Sequence, residues 1–195
     1  MDEARLLMAA QAGDIDAFET LQEIMEPPIR RFVRRLLNSD YAVDDVVQDV
    51  FISLYYNMSR INPPENFRPY LYRMARNRCY DDMRKSQRTP TVSLDDEPVF
   101  LRVSFTESSH EPPPDEVTHW LLLNLEVQEA MDQLPEHQRQ ALILYAEEGL
   151  SYREIAEVME VSLGTIKSRI YQAKQMLRRL LHPDTLAELD DEFDD

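Results

Sequence analysis

The chain has 195 residues, of which 37 are acidic and 21 basic, so its formal net charge is −16. The chain has only three glycines, and this low number favours helices. The single cysteine, Cys79, excludes an intramolecular disulfide. The sequence has no Cys/His cluster for zinc, and we expect no cofactor. No apolar run approaches the roughly 20 residues that span a bilayer, and the acidic start "MDEARLLMAA" lacks the apolar core of a secretory signal, so we expect a cytoplasmic location without membrane insertion.

The first strong pattern is the stretch "SDYAVDDVVQDVFISLYYNM", which predicts an amphipathic helix. Its predicted buried side contains Val43, Val46, Val47, Val50, Phe51, Leu54 and Met58. Its other side carries Asp44, Asp45, Gln48 and Asp49. The pattern alone favours a solvated acidic face, and the functional alternative is a docking surface for a basic partner helix.

A second helix is predicted to begin near Phe67, after a proline-containing loop. One side, at spacing four, is predicted to be buried and contains Leu71, Ala75, Cys79 and Met83. The rest interleaves cations and aromatics and includes Arg73, Arg76, Asn77, Tyr80 and Arg84. This mixture suits single-stranded nucleic acid, because bases stack on rings while Arg holds phosphates. The alternative is that the tyrosines are half-buried and the arginines pair with Asp81 and Asp82.

Composition changes divide the rest of the chain. Residues 91–114 have no helical period and contain three consecutive prolines, so they are predicted to be an acidic linker. Residues 115–182 are predicted to be helical, and residues 183–195 form a tail with seven acids and no base, predicted to be solvated. The predicted fold is therefore all-α, with two small helical domains at residues 1–90 and 115–182.

The stretch "LSYREIAEVMEVSLGTIKSRI" predicts a helix-turn-helix. Ser151 and Glu154 match a capping box, and Ser162 can cap the second helix after a turn at Glu160-Val161. An apolar stripe of the second helix contains Ile166, Ile170, Ala173, Leu177 and Leu180. Its other sides carry Thr165, Lys167, Ser168, Arg169, Tyr171, Gln172, Lys174 and Arg178. Such a helix can enter the major groove of DNA, and the alternative is a surface helix whose cations are only solvated.

The charges are distributed unevenly. Residues 68–88 contain seven basic and two acidic residues, and residues 161–182 contain five Lys or Arg and no acid. The linker and the tail hold much of the negative excess. An acidic chain can therefore bind a polyanion through two local basic segments.

Together, these segments resemble bacterial sigma factors of the extracytoplasmic-function (ECF) group. "DDVVQDVFISLYYNM" is similar to the region 2 helix that binds core RNA polymerase, and "FRPYLYRMARNRCYDDMRK" to the next helix, which melts and recognises the −10 promoter element. "LPEHQRQALILYAEEGLSYREIAEVMEVSLGTIKSRIYQAKQMLR" is similar to region 4, which binds the −35 element. The resemblance covers roughly residues 5–90 and 120–181.

The resemblance implies a transcription initiation factor that is not an enzyme. Its implied partners are the β and β′ subunits of core polymerase, promoter DNA and, as in many relatives, an anti-sigma factor. It assigns polymerase binding to Asp44, Asp45, Gln48 and Asp49. It assigns −10 binding to Ile61, Asn66, Arg73, Arg76, Asn77, Tyr80 and Arg84, with a flipped base held by the loop at residues 61–66. It assigns −35 binding to Thr165, Lys167, Ser168, Arg169, Tyr171, Gln172, Lys174 and Arg178.

Three features depart from the family pattern. The loop "RINPPENFRP" is proline-rich, so its base pocket need not match that of the family. Gln172 stands where many relatives have Arg, and Gln suits adenine rather than guanine. The promoter sequence that those relatives recognise therefore cannot be assumed for this chain. The acidic tail is not a required family part, and we hypothesise that it or the linker screens residues 161–182 until polymerase separates the domains.

Two other function classes compete with this interpretation. A stand-alone helix-turn-helix regulator of transcription would need a receiver or ligand domain upstream, but the first half shows no alternating βα pattern. An enzyme acting on nucleic acid would need a metal-ligand cluster, a nucleophile with its base or a phosphate loop, and the sequence shows none of these patterns. Association with core polymerase separates the first interpretation from both alternatives.

Overall fold

A computed structural model describes residues 2–37, 42–88 and 114–187 of the chain, with side chains described for 2–37, 42–85 and 122–187. Within these residues every regular element is helical, which confirms the all-α prediction. The α-helices are α1 (Glu3–Gln11), α2 (Ile15–Leu37), α3 (Val43–Asn57), α4 (Phe67–Arg88), α5 (Pro114–Asp132), α6 (Glu136–Ala146), α7 (Tyr152–Met159) and α8 (Leu163–Leu180). Residues 91–113 of the predicted linker and 188–195 of the predicted tail lie outside the described residues.

The chain divides into two compact units. One is formed by Met1–Glu97 with Ile143–Ile166, and the other by Pro98–Leu142 with Lys167–Asp195. The segment 143–166, which the sequence pattern assigns to the second helical domain, thus belongs to the same unit as α1–α4. The predicted boundary at residue 90 falls outside the described residues and stays a prediction.

Helix α2 forms the centre of the first unit and packs against α1, α3 and α4. Its buried side contains Phe18, Leu21, Met25, Ile29, Phe32 and Leu36. The helix continues through Pro27 and Pro28, although each proline removes a backbone donor from the helix interior. Burial on both sides of this proline pair compensates for the lost donors.

Helices α3 and α4 have the predicted apolar sides. Val43, Val46, Val47, Val50, Phe51 and Leu54 are buried on α3. Met58 is only half-buried, because α3 ends at Asn57 and a 3₁₀ turn, Met58–Arg60, follows. Helix α4 begins at Phe67 as predicted, and Leu71, Ala75 and Cys79 are buried, whereas Met83, which was also predicted to be buried, is only half-buried. Burial raises the pKa of the Cys79 thiol to about 12, as expected for a side chain that acts as a small hydrophobe.

A proline and a glycine mark the start and end of α6. Pro135 directly precedes the helix, and its carbonyl accepts hydrogen bonds from the N–H groups of Gln138 and Arg139. Gly149 turns the chain after the helix with φ of +64°, a conformation that glycine adopts without strain. Ala146 is exposed at the last position of α6, where the helix leaves the core.

Helix α8 has the predicted apolar stripe except at its end. Ile166, Ile170, Ala173 and Leu177 are buried. Leu180 is half-buried, and Leu181, four residues after Leu177, is buried in its place. Among the described residues, every helix is too short or too polar to cross a bilayer.

Candidate functional site

The outward side of α3 carries the predicted acidic face, formed by Asp44, Asp45, Gln48 and Asp49. All four side chains are exposed. Arg30 of α2 forms ion pairs with Asp44 and, at 2.9 Å, with Glu26. Hydrogen bonds to Glu26 and then Asp44 raise the pKa of Arg30. Because exposed ion pairs contribute only about 0–1 kcal/mol, a cationic partner can replace Arg30 at little cost.

Large apolar side chains extend this acidic face, and the sequence analysis did not single them out. Ile52, Tyr55 and Tyr56 are 48%, 47% and 76% exposed on the following turns of α3. The Tyr55 ring contacts Phe18 and Tyr56 edge to face, at centroid distances of 5.2 and 5.6 Å. These three apolar residues lie outside the predicted buried side of α3, and this position is the sequence signal that could have identified them.

Helix α4 presents the predicted row of cations and rings. The Arg73 guanidinium lies 5.4 Å from the centre of the Tyr70 ring, and Arg76 lies 4.8 Å from that of Tyr80. Asn77 is exposed between these pairs, while Arg73, Arg76 and Tyr80 are half-buried. Stacking keeps both guanidinium groups and both rings at the surface in a fixed arrangement.

Part of the alternative interpretation of this row is also correct. Arg84 lies 3.6 Å from Asp81 in an exposed ion pair. Tyr72 is fully buried and packs edge to face against Phe32, at a centroid distance of 5.3 Å. Tyr72 is therefore a core residue and offers no surface for stacking a base.

The loop before α4 borders a cavity of about 200 Å³. Its walls are formed by Arg60, Ile61, Asn62, Asn66, Pro69, Tyr70, Arg73 and Glu157. The Gln11 side-chain amide holds this loop by donating to the carbonyls of Met58 and Ile61, at 2.7 and 3.0 Å. Asn66 is exposed, whereas Ile61 is only 3% exposed and contributes an apolar wall. The cavity thus combines cations, amides and one ring within reach of the α4 row.

The turn of the helix-turn-helix has the predicted caps. Glu154 N–H donates to Ser151 Oγ at 3.4 Å, and Ser151 N–H donates to Glu154 Oε2 at 2.7 Å, which completes the capping box. Glu160 then adopts the left-handed conformation, with φ of 55°. Ser162 caps α8 by accepting from the Thr165 N–H at 3.1 Å, and the two hydroxyls are 2.8 Å apart. The Thr165 hydroxyl is therefore engaged in the cap.

The predicted polar residues of α8 differ in exposure. Lys167, Ser168, Tyr171, Gln172 and Arg178 are exposed, while Thr165, Arg169 and Lys174 are half-buried. Gln172 accepts a hydrogen bond from Gln138 of α6 at 3.1 Å. This bond orients the Gln172 amide, so that its NH₂ group remains available as a donor.

The start of the predicted tail is anchored to α5 at Thr185, while Pro183, Asp184 and Ala187 are exposed. Glu126 of α5 accepts hydrogen bonds from the His182 N–H at 2.5 Å and the Thr185 hydroxyl at 2.6 Å. These bonds, first that of Thr185, lower the pKa of Glu126. Thr185 is only 7% exposed. In the part of the chain that the structure describes, no group of three His, Cys, Asp or Glu side chains is placed to hold a metal ion.

Both parts of the chain match known families. The family described as Sigma-70 region 2 matches residues 21–89, and Sigma-70, region 4 matches residues 124–177. The first match contains α3 and α4, and the second contains α6 and α7, the second half of α5 and most of α8.

Relatives match across both regions. The chain is 30% identical to the ECF RNA polymerase sigma factor SigW of Bacillus subtilis, over 87% of this chain and 91% of that protein. It is 31% identical to the ECF RNA polymerase sigma factor SigE of Mycolicibacterium smegmatis, over 87% of this chain and 64% of that longer protein. Among solved structures, the sigma factor RpoE of Bartonella quintana in complex with the anti-sigma factor NepR is similar, with a TM-score of 0.63, 25% identity and coverage of 86% of this chain and 98% of that chain.

Proposed function

Since the chain belongs to the ECF family of RNA polymerase sigma factors, which direct transcription initiation, we propose that α3 binds the core polymerase, α4 binds the opened −10 strand and α8 binds the −35 duplex. The observation that carries this proposal is the presence of two separate cationic helices with different surroundings. Helix α4 combines cations with rings and a cavity, whereas α8 combines cations with short polar side chains.

The acidic face of α3 is proposed to bind the β′ subunit of the core enzyme. Four exposed polar or acidic side chains lie beside exposed Ile52 and Tyr56. Aromatic and apolar residues supply most of the energy of a typical interface, and charges outside them steer association. Arg30 and Arg78, which pair with Asp44 and Asp49, keep these carboxylates oriented outward until a partner replaces them.

The α4 row and its cavity are proposed to bind the unpaired −10 strand. Arg73, Arg76 and Arg84 would neutralise phosphates, and Tyr70 and Tyr80 offer ring faces near the strand. Asn77, exposed between the stacked pairs, can donate to and accept from a base edge. A flipped base needs a polar site to offset its lost stacking, and the partly open cavity bordered by Asn62 and Asn66 would provide one.

Helix α8 is proposed to lie in the major groove at the −35 element. Lys167, Ser168 and Tyr171 are exposed near its first turns, where a recognition helix contacts bases. Half-buried Arg169 and Lys174 suit phosphate contacts at the groove edge. The Gln172 amide, oriented by Gln138, presents its donor to a base edge.

We further propose that the chain has no catalytic activity of its own and acts in the cytoplasm, where core polymerase meets the chromosome. An anti-sigma factor is a proposed partner, because the similar Bartonella quintana structure contains one bound to its sigma factor.

Run-off transcription tests the proposed function. The chain would be mixed with bacterial core polymerase on a library of genomic fragments, and the transcripts would be sequenced. We expect starts downstream of one shared pair of −10 and −35 sequences, which core polymerase alone does not use. Transcripts identical with and without the chain would overturn the proposal.

A further inference from the structure

One side chain of α1 holds the 58–66 loop, which connects α3 to α4 and borders the cavity. Gln11, the last residue of α1, donates from its amide to the carbonyl of Met58 at 2.7 Å and to that of Ile61 at 3.0 Å. These carbonyls belong to the first residue of the 3₁₀ turn Met58–Arg60 and to the residue that follows it. The NH₂ group offers two donors, so a single side chain joins both ends of the turn to α1.

The other backbone hydrogen bonds of the loop are local. The Ile61 N–H donates to the Met58 carbonyl at 3.0 Å, and the Asn66 N–H donates to that of Pro63 at 3.1 Å. These bonds shape two short turns, but they do not set where the loop lies on the rest of the unit. The bonds from Gln11 span 47 and 50 positions of the chain and therefore supply that constraint.

The constraint acts directly on the wall of the cavity. One of the two carbonyls belongs to the peptide that joins Ile61 to Asn62, and both of these residues line the cavity. Ile61 is buried, whereas the Asn62 side chain is exposed. Tyr70 and Arg73 of α4 line the same cavity. Holding this peptide therefore determines where the Asn62 amide lies relative to the side chains of α4.

A donor can position a loop only if the donor is itself fixed, and α1 meets this condition. The helix packs on α2, and its side chains Leu7 and Ala10 are buried. Near the other end of α1, Glu3 lies 3.8 Å from Arg68 at the start of α4. The two ends of α1 therefore reach the chain before and after the loop, through Gln11 and Glu3.

The amide of Gln11 is the feature that makes both bonds. Met is similar in length but has no donor, and a Glu carboxylate would place acceptors against two carbonyl oxygens. Met and Glu are also good helix formers, as Gln is. Since Gln11 is half-buried at the end of its helix, either substitution removes the hold on the loop without opening a cavity in the core.

We propose that Gln11 is a positioning residue for recognition of the −10 element: it holds the loop so that Asn62 meets the edge of the base captured in the cavity. This inference rests on the proposed binding of the −10 strand by α4 and its cavity. Helix α1 precedes residue 21, where the match to Sigma-70 region 2 begins, so that match gives no role to Gln11.

The first test measures transcription by core polymerase and the full chain from promoters that carry every single-base change in the −10 element. With Gln11→Met, we expect the preference for one base at one position to fall at least about fivefold, while preferences at the other positions are kept. Asp14→Ala is the control, because it removes the oxygen that accepts from the Ala17 N–H at 3.1 Å and caps α2. It should lower Tm and keep every preference. Unchanged preferences with Gln11→Met would overturn the inference.

The second test separates positioning of the loop from a general loss of stability. Asn62→Ala removes the amide that Gln11 is proposed to position, and it should weaken the preference at the same base. Gln11→Met combined with Asn62→Ala should lose no more preference than Asn62→Ala alone, since both changes remove one contact. Losses that multiply in the combined variant, or no loss with Asn62→Ala, would contradict the inference.

A second substitution at the same position guards against misfolding of Gln11→Met. Gln11→Glu keeps the length and polarity of the side chain, and we expect it to weaken the same preference at least as much. Circular dichroism checks both variants. Failure of both to fold would also contradict the inference, because Gln11 would then be needed by the fold itself.

These outcomes differ from failure of the proposed function, which the parent chain reveals. The proposed function fails if the parent with core polymerase gives no promoter-dependent transcripts. A parent that transcribes, with Gln11 variants that rank the promoters as the parent does, refutes only the role of Gln11.

Discussion

Arg78 of α4 connects the two candidate faces of the first unit through Asp49 of α3. Its Nη1 lies 4.0 Å from Asp49 Oδ2, and its Nη2 donates to Ser53 Oγ at 2.9 Å. The same carboxylate is therefore oriented by the cationic helix and presented on the acidic face. A change at Asp49 alters the charge of the docking face without removing any buried side chain.

Asp49→Arg is expected to weaken binding to core polymerase. The substitution reverses one charge of the acidic face and places a cation beside Arg78, while the exposed position leaves the fold unchanged. Pull-down of purified core enzyme by tagged chains measures the effect. Glu19→Arg, the same charge reversal at an exposed position of α2, is the control and should bind like the parent. Equal recovery of core enzyme by Asp49→Arg would refute the assignment of α3.

Asn77→Ala is expected to reduce discrimination at one base of the −10 element. The side chain is exposed on α4, and alanine favours the helix, so the loss is confined to hydrogen bonds with a base edge. Transcription from a panel of promoters with single −10 changes gives the ranking. Lys85→Ala removes an exposed cation of the same helix and should lower transcription from all promoters alike. An unchanged ranking with Asn77→Ala would exclude the proposed base contact.

Lys167→Ala is expected to weaken binding at the −35 element by about 1–3 kcal/mol if Lys167 contacts a base, and by less if it contacts a phosphate. The salt dependence of duplex binding by the polymerase complex separates the two cases. A phosphate contact reduces the salt slope by about one without changing sequence preference. Arg5→Ala, which removes an exposed cation of α1, is the control. No change in affinity, slope or preference would remove Lys167 from the interface.

Ser151→Ala is expected to lower stability by about 1 kcal/mol, because it removes the side chain that accepts from the Glu154 N–H. For a chain of this size, that loss corresponds to a fall of about 2–4 °C in Tm. Thermal unfolding followed by circular dichroism measures it. Ser59→Ala, at an exposed position of a 3₁₀ turn, should leave Tm within error. Equal values of Tm for both variants would show that the capping box contributes little.

Glu148→Gln is expected to change how stability depends on pH. Burial raises the pKa of Glu148 above 4.5, so the folded state binds the proton more tightly than the unfolded state. Its contribution to stability is complete below about pH 4.5 and is lost as pH rises through the folded value. The free energy of unfolding of Glu148→Gln minus that of the parent should therefore increase as pH rises above about 4.5.

Urea unfolding at a series of pH values measures this difference. The other titratable groups are the same in both proteins, so their contributions cancel. Glu147→Gln, which removes the adjacent exposed carboxylate, reports the effect of losing one negative charge. A difference that stays constant with pH, or follows that of Glu147→Gln, would contradict the assigned direction.

Features set by neighbouring residues were predictable from the sequence. The capping box at Ser151, the cap at Ser162 and the start of α4 at Phe67 depend on side chains within one helical turn. The apolar stripe of α8 follows from its spacing, and fails only at Leu180, where the helix ends. Such features need no knowledge of the path of the chain.

Contacts between distant segments were not predictable from one sequence. Tyr72 and Glu148 are separated by 76 positions, and Gln11 holds carbonyls 47 and 50 positions away. Tyr72 is buried against Phe32 of α2 and bonds Glu148, and neither partner can be identified from the residues that surround Tyr72 in the sequence. The resemblance to a family supplied roles for single residues, but the contact of 143–166 with α4 required the structure.

Permanganate footprinting of promoter DNA tests the central claim most directly, because it detects unpaired thymines. The templates are the promoters found by run-off transcription, mixed with core polymerase and the full chain. The account predicts reactive thymines within the −10 element only when both proteins are present, and reduced reactivity with Asp49→Arg. Reactivity that is absent, or the same with core polymerase alone, would contradict it.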